Sequence, residues 1–212
     1  MIPALDRRFT DTEGFAMIRN VLFDCGGVVC EFVIPEIVAR YFEPEDCALA
    51  QETLFSHWAD MDAGDIRYED YAREMIGRMP QRLRENTVRF FDGWYRTQPP
   101  IEDIWALAAR LKARGYRVYL LSNAPTVYAE QIADVFPVIR MFDGMVISAP
   151  IHMVKPHRDI FEYALTTFGL KPEESLFVDD MEVNVEGARA CGLQGFHFRG
   201  DVDALQKYIE AH

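Results

Sequence analysis

Residues 20–29 read Asn-Val-Leu-Phe-Asp-Cys-Gly-Gly-Val-Val, an apolar run that ends in a carboxylate and two glycines. A short run of β-branched and aromatic residues that stops at Gly-Gly is typical of a buried strand. The glycines allow the backbone to turn sharply and to come close to a ligand. Asp24 would then lie at the carboxyl end of a parallel strand, where open α/β sheets bind their ligands.

From Ile101 onward the sequence alternates between helical and strand patterns, which predicts further parallel strands. The predicted strands cover Tyr116–Leu121, Met145–Ser148, Ser175–Asp179 and Gly195–Phe198. Predicted helices cover Ile101–Arg114 and Val183–Cys191, and another follows Lys155-Pro156. We therefore expect an α/β fold with a doubly wound parallel sheet, built from residues 17–32 and 99–212.

Residues 33–98 show helical patterns and no strand pattern, which predicts a small all-helical insertion after the first strand. Its predicted helices cover Ile34–Tyr41, Cys47–Trp58, Tyr68–Met79 and Leu83–Trp94. Its aromatic residues are expected to be mostly core: Phe55, Trp58, Tyr71, Phe90, Phe91 and Trp94. Short connections near Glu31 and Pro99-Pro100 would let the insertion move as a cap, with the break at Asp62–Asp65 facing the substrate.

Composition excludes several classes of function. The 212-residue chain has a net charge of −12, which disfavours nucleic acid and anionic membrane surfaces as partners. Its four cysteines show no Cys-x-x-Cys spacing, so neither zinc nor a disulfide framework is expected. No apolar run approaches bilayer length, which favours a cytoplasmic protein with reduced thiols. Residues 1–16 lack periodicity and are expected to form a loose arm. Met17 directly precedes the first strand, and one hypothesis is that translation begins there.

Polar residues follow several predicted strands, and parallel strands bring these ends to one edge of a sheet. They are Asp24, Ser122-Asn123 and Asp179-Asp180, and Lys155 can reach the same edge. This set suits phosphoryl transfer, which needs an in-line nucleophile, a hard cation and donors to the phosphoryl oxygens. One or two carboxylates are enough protein ligation for Mg²⁺. A carboxylate nucleophile would form an aspartyl-phosphate.

These motifs, in this order, resemble those of the haloacid dehalogenase-like (HAD) hydrolase superfamily. They are Phe23-Asp-Cys-Gly-Gly-Val28, Leu121-Ser-Asn123, Lys155-Pro156, and Val178-Asp-Asp180 with Asn184. The resemblance covers nearly everything from Ile18 onward and implies a HAD-like Rossmannoid core with a helical type 1 cap. The segment Trp58–Tyr71 resembles the cap of the α-D-glucose-1-phosphate phosphatase branch, which makes a sugar 1-phosphate the candidate substrate.

The resemblance implies a role for each residue that would meet the substrate. Asp24 would be the nucleophile. Ser122 and the backbone amide of Asn123 would bind the transferring phosphoryl group. Lys155 would neutralise the charge of the nucleophile and the phosphoryl group.

The resemblance also implies a Mg²⁺ site. Asp24 and the backbone carbonyl of Gly26 would be ligands. Asp180 would bind the metal, and Asp179 would do so directly or through a water. Asn184 would order the waters of the metal.

Gly26 departs from the family pattern. Most phosphatases of the superfamily have Asp-x-Asp, where the second Asp protonates the leaving group, and Gly26 stands at that position here. The departing oxygen must then take its proton from water, from a cap residue or late in the step, and the neighbourhood of His57 and Asp60 is the place to look for a cap residue. With no acid in place, aryl and acyl phosphates should react well and primary alkyl phosphates poorly.

The predicted function is a Mg²⁺-dependent phosphatase that acts on a small phosphorylated metabolite. A 2-haloacid dehalogenase also lacks the second Asp, but those enzymes need no metal, and Asp179-Asp180 favours a cation. A non-catalytic sensor or interaction protein that lost turnover together with its acid is a further alternative. The sequence leaves the oligomeric state open.

Overall fold

The computed structural model describes residues 17–212, and its sheet is parallel throughout. The strands are β1 (Asn20–Phe23), β2 (Arg117–Ser122), β3 (Gly144–Ile147), β4 (Ser175–Asp179) and β5 (Gln194–His197). They lie in the order β3-β2-β1-β4-β5, with every neighbouring pair parallel. The predicted α/β fold with a parallel sheet is confirmed. The predicted loose arm lies outside the described residues.

The long connection from β1 to β2 begins with helices, as the sequence predicts. They are α1 (Ile34–Ala39), α2 (Cys47–Leu54), α3 (Trp58–Asp62), α4 (Tyr68–Arg78) and α5 (Arg84–Gly93). The single helix predicted over Cys47–Trp58 is wrong, because the chain leaves the helix between α2 and α3. There the Ser56 hydroxyl donates to the Thr53 carbonyl at 3.0 Å, a local bond that competes with helix continuation.

Helices cover both faces of the sheet, which confirms the doubly wound arrangement. They are α6 (Glu102–Ala113), α7 (Thr126–Val135), α8 (Arg158–Phe168), α9 (Glu182–Ala190) and α10 (Val202–Ala211). Successive strand residues point to opposite faces. Val21 and Phe23 therefore belong to the cluster with α6, α7 and α10, whereas Leu22 belongs to the cluster with α8 and α9. None of the helices between residues 17 and 212 has the length and apolarity that crossing a membrane requires.

The two chain segments that join the insertion to the sheet run side by side. The Glu31 amide donates to the Pro99 carbonyl at 2.8 Å, and the Ile101 amide donates to the Val29 carbonyl at 3.0 Å. The Trp105 indole N–H also donates to Val29, at 2.8 Å. Because β1 ends at Phe23, this paired crossing places the insertion beside the carboxyl edge of the sheet.

Candidate active site

A buried lysine joins the ends of β1 and β4. Lys155 Nζ lies 2.8 Å from Asp24 Oδ1 and 2.7 Å from Asp179 Oδ2. Burial alone would lower the pKa of Lys155, but the two carboxylates raise it, and the net direction is upward. Burial raises the pKa of Asp24 to about 6, although Lys155 acts in the opposite direction. The lysine is therefore held as a cation between two carboxylates.

Asn123 holds the backbone of Lys155. Its Nδ2 donates to the Lys155 carbonyl at 2.9 Å, and its Oδ1 accepts from the Lys155 amide at 2.8 Å. This two-point contact fixes the loop after β3 against the end of β2. The resemblance implies a role for the backbone amide of Asn123 alone, and nothing in the sequence indicates this role of its side chain.

Asp179 is saturated by protein donors. It is fully buried and accepts from Lys155, from the Met181 amide at 2.8 Å, and from Asn184 Nδ2 at 3.1 Å on each oxygen. Asn184, expected to order waters, thus contacts Asp179 through its side chain. These bonds occupy the lone pairs that a metal ligand would need, so they favour an orienting role for Asp179.

Three carboxylates meet at this edge. Oxygen atoms of Asp24, Asp179 and Asp180 lie within 4.8 Å of one another. Burial of part of the residue and the charge of Asp179 raise the pKa of Asp180, which is exposed. Gly27, at φ +73°, allows the Asp180 side chain to approach the backbone of the loop after β1, because a Cβ at position 27 would overlap the Asp180 carboxylate. Crowded oxygen ligands with excess negative charge fit a divalent cation such as Mg²⁺.

These side chains open onto a cavity of about 360 Å³ between the sheet edge and the helical insertion. The polar end contains seven of the predicted residues, which are Asp24, Gly26, Ser122, Asn123, Lys155, Asp180 and Asn184. The other walls are mostly apolar, and they comprise Phe32, Ile34, Phe55, Trp58, Trp94, Ala124, Pro125, Tyr128 and Met181. Half of the six aromatic residues expected to be core therefore line the cavity.

The insertion also contributes a carboxyl group to the cavity. Asp62, the last residue of α3, lines it together with Asp24. Burial raises the pKa of Asp62 to about 8, although a hydrogen bond from the Trp58 side chain acts in the opposite direction. Asp62 is therefore mostly protonated at neutral pH. Within the Asp62–Asp65 break, which is predicted to face the substrate, Asp62 is the residue that lines the cavity.

Two contacts fix this segment to the sheet domain. The Ser148 hydroxyl, just after β3, donates to the Asp62 carbonyl at 2.5 Å and accepts from the Ala124 amide at 2.9 Å. Gly64 has φ +79°, and a Cβ there would overlap the Ala149 carbonyl oxygen. Only glycine permits this close approach. Asp62 is thus positioned by residues distant in sequence.

His57 and Asp60, which are close to Asp62 in sequence, lie outside the cavity lining. His57 contacts Ser56 at 3.0 Å and Glu74 at 3.4 Å, and Asp60 is exposed. Neither is among the described residues that line the cavity. Within the neighbourhood of His57 and Asp60, the acidic residue that lines the cavity is Asp62, at the end of α3. Asp62 follows Asp60 by two residues, which is about half a helical turn.

A match to a family model identifies the class of protein to which the chain belongs. Residues 18–192 match the model described as haloacid dehalogenase-like hydrolase. The chain therefore belongs to the haloacid dehalogenase-like hydrolase family, as the resemblance implied, and the prediction of a hydrolase is confirmed.

The similarity to individual relatives extends over nearly the whole chain. The sesquiterpene phosphatase astK of Aspergillus oryzae is 30% identical over 197 residues, which are 91% of this chain and 94% of the relative. A HAD family enzyme of Bacteroides thetaiotaomicron, BT-2542, in complex with magnesium and inorganic phosphate, has a TM-score of 0.68 at 23% identity, covering 87% of this chain and 96% of its own. The L-2-haloacid dehalogenase of Xanthobacter autotrophicus has a TM-score of 0.65 at 17% identity, covering 92% and 83%. At such identities the two structures show the shared fold alone.

Proposed function

We propose that the protein is a Mg²⁺-dependent phosphatase that cleaves small phosphate monoesters through an aspartyl-phosphate on Asp24. One observation carries the proposal: Lys155 lies buried between Asp24 and Asp179 at the edge of the sheet, where the cavity begins. The similarity to a relative named as a phosphatase supports the same class of enzyme.

Each side chain at this edge has a separate role in the reaction. Asp24 attacks phosphorus, and the phosphoryl group moves from the ester oxygen to the carboxylate. Ser122 and the Asn123 amide bind the transferring group, and Lys155 neutralises the charge that accumulates between nucleophile and phosphate. Water then attacks the aspartyl-phosphate, which releases inorganic phosphate and restores Asp24.

The residues present fit a Mg²⁺ ion. Asp24, Asp180 and the carbonyl of Gly26 would hold it, and Asp179 would orient Lys155. Bound Mg²⁺ neutralises charge on the phosphoryl oxygens. The position of Asp180 beside Asp24 in the carboxylate cluster supports a phosphatase over a metal-free dehalogenase.

The walls of the cavity favour a substrate with an apolar body. Phe55 stacks on Trp58 at 4.6 Å between ring centroids, and Trp94 stacks on Tyr128 at 6.0 Å. Such walls can bury alkyl, prenyl or aryl groups. We therefore favour an apolar phosphate ester over the sugar 1-phosphate suggested by the sequence. The sesquiterpene phosphatase named above agrees with this choice.

A series of straight-chain alkyl phosphates tests the substrate class. Each buried CH₂ contributes about 0.8 kcal/mol, so kcat/KM should rise about fourfold per CH₂ until the cavity is full. Phe55→Ala should flatten the rise for the longer esters, whereas Val88→Ala, on the exposed face of α5, should not. A flat series together with faster hydrolysis of hexose 1-phosphates would favour the sugar phosphate instead.

Phosphate release from a panel of esters tests the function itself. We expect release from apolar esters with Mg²⁺ and none with excess EDTA. The Asp24→Asn variant is the negative control. Release of halide from 2-haloacids without metal, and no phosphate from any ester, would favour the dehalogenase. No turnover of either kind would favour a non-catalytic protein.

A further inference from the structure

Two buried polar atoms in the described part of the chain have no hydrogen-bond partner: Asp62 Oδ1 and Gln98 Nε2. Buried polar groups are almost always paired, so each exception requires a reason. Both residues line the same cavity as Asp24. Two unpaired groups that line one cavity indicate a ligand that supplies their hydrogen-bond partners.

The position of Asp62 suits a group that acts on the ester oxygen. Asp24, Lys155 and Ser122 form the wall of the sheet edge, and Asp62 comes from the insertion. Its backbone is fixed by Ser148. Besides burial, the charge of Asp24 raises the pKa of the Asp62 carboxyl and the charge of Lys155 lowers it. An ester whose phosphoryl group lies at Asp24 would extend its leaving oxygen toward the insertion.

The loop after β1 cannot supply a carboxyl group without rearrangement. A Cβ at Gly26 would lie 3.1 Å from Phe32 Cβ and 3.4 Å from Phe32 Cγ. A side chain at position 26 would therefore require Phe32 to shift by a few tenths of an ångström. The position that carries the acid in most of these phosphatases is thus tightly bounded by Phe32.

We propose that Asp62 is the general acid and base of this active site. The inference rests on the proposed function. In the first half-reaction the bond from Asp24 to phosphorus forms, the ester P–O bond breaks, and the Asp62 carboxyl gives its proton to the departing oxygen. In the second, Asp62 takes a proton from the water that attacks the aspartyl-phosphate, so the carboxyl group is restored and the alcohol and phosphate are released.

The dependence of rate on the leaving group tests this role. General acid catalysis contributes about 10²–10⁴-fold, and most for basic leaving groups. Asp62→Asn should therefore lower kcat/KM by about 10²-fold or more for a primary alkyl phosphate, but less than tenfold for 4-nitrophenyl phosphate. Asp60→Asn is the matched control, since Asp60 is exposed on the same helix. It should leave kcat/KM unchanged for both esters.

A uniform loss for both esters, or no loss for either, would overturn the assignment. If the unaltered protein hydrolyses no ester, the proposed function has failed instead, so the two failures are distinguishable. If Asp62→Asn does not fold, Asp62→Ser is compared with Asp60→Ser in the same assay.

Thermal stability gives a readout that does not depend on activity. The raised pKa means that folded Asp62 binds more protons than unfolded Asp62 between about pH 4 and pH 8, so its contribution to stability falls across that window. Asparagine does not titrate, whereas the facing groups Asp24 and Lys155 are common to both proteins. The gain in melting temperature of Asp62→Asn over the unaltered protein should therefore grow from pH 5 to pH 8 without added metal. A gain independent of pH would contradict a protonated Asp62.

Discussion

Asp24→Asn is expected to abolish turnover and to leave the fold intact. A neutral amide is a poor nucleophile, and removal of the attacking group should cost at least about 10³-fold in kcat. Asparagine has nearly the size of aspartate, and its carbonyl oxygen can still accept from Lys155, which lies 2.8 Å from Asp24 Oδ1. Phosphate release measures the loss, and the melting curve checks the fold.

The control for Asp24→Asn is Asp60→Asn, which removes an exposed carboxylate and should keep full activity. A loss of tenfold or less in Asp24→Asn would mean that another group attacks phosphorus. The same loss in both variants would indicate a general effect of charge rather than the loss of a nucleophile.

Asp179 and Asp180 are adjacent, yet their replacement should have opposite effects on stability. Asp179→Asn removes a fully buried partner of Lys155 and leaves that ammonium with Asp24 alone. Breaking a buried ion pair costs about 3–5 kcal/mol, so the melting temperature should fall by about 10 °C. Asp180→Asn removes a crowded charge whose pKa is raised, and the metal-free protein should melt at a higher temperature near pH 7.

Added Mg²⁺ separates the two roles further. A bound ion stabilises the folded state by mass action, so the melting temperature rises with its concentration. Asp179→Asn should keep most of this rise, whereas Asp180→Asn should lose it, because Asp180 is the proposed ligand. Calorimetry that finds unchanged Mg²⁺ affinity in Asp180→Asn would contradict the ligand assignment.

The strands were predictable because each one is a short apolar run with a clear stop. The predicted bounds of β2, β3 and β5 differ from the structure by one residue, and those of β4 agree. Helices α7 and α10 were not predicted. For α10 a signal was present: Asp201 caps the helix by accepting from the Ala204 amide at 2.9 Å, and Leu205 and Ile209 are buried at i, i+4 spacing.

The sheet side of the site was predictable, since parallel strands bring Asp24, Ser122 and Asp179 to one edge. The cavity side was not, because it depends on how the insertion packs against the sheet. Helical periodicity cannot distinguish a core aromatic such as Phe90 from a cavity residue such as Trp58. The placement of Asp62 depends on the Ser148 hydroxyl, which no local pattern indicates.

The most direct test of the account is to trap the phosphoryl group on Asp24. The protein is quenched with acid during turnover of an aryl phosphate and reduced with borohydride, which converts an aspartyl-phosphate to homoserine, and the peptide is mapped by mass spectrometry. We predict homoserine at position 24, dependent on Mg²⁺ and absent from Asp24→Asn. Rapid turnover with unmodified Asp24, or a phosphoryl group on another residue, would contradict the proposed mechanism.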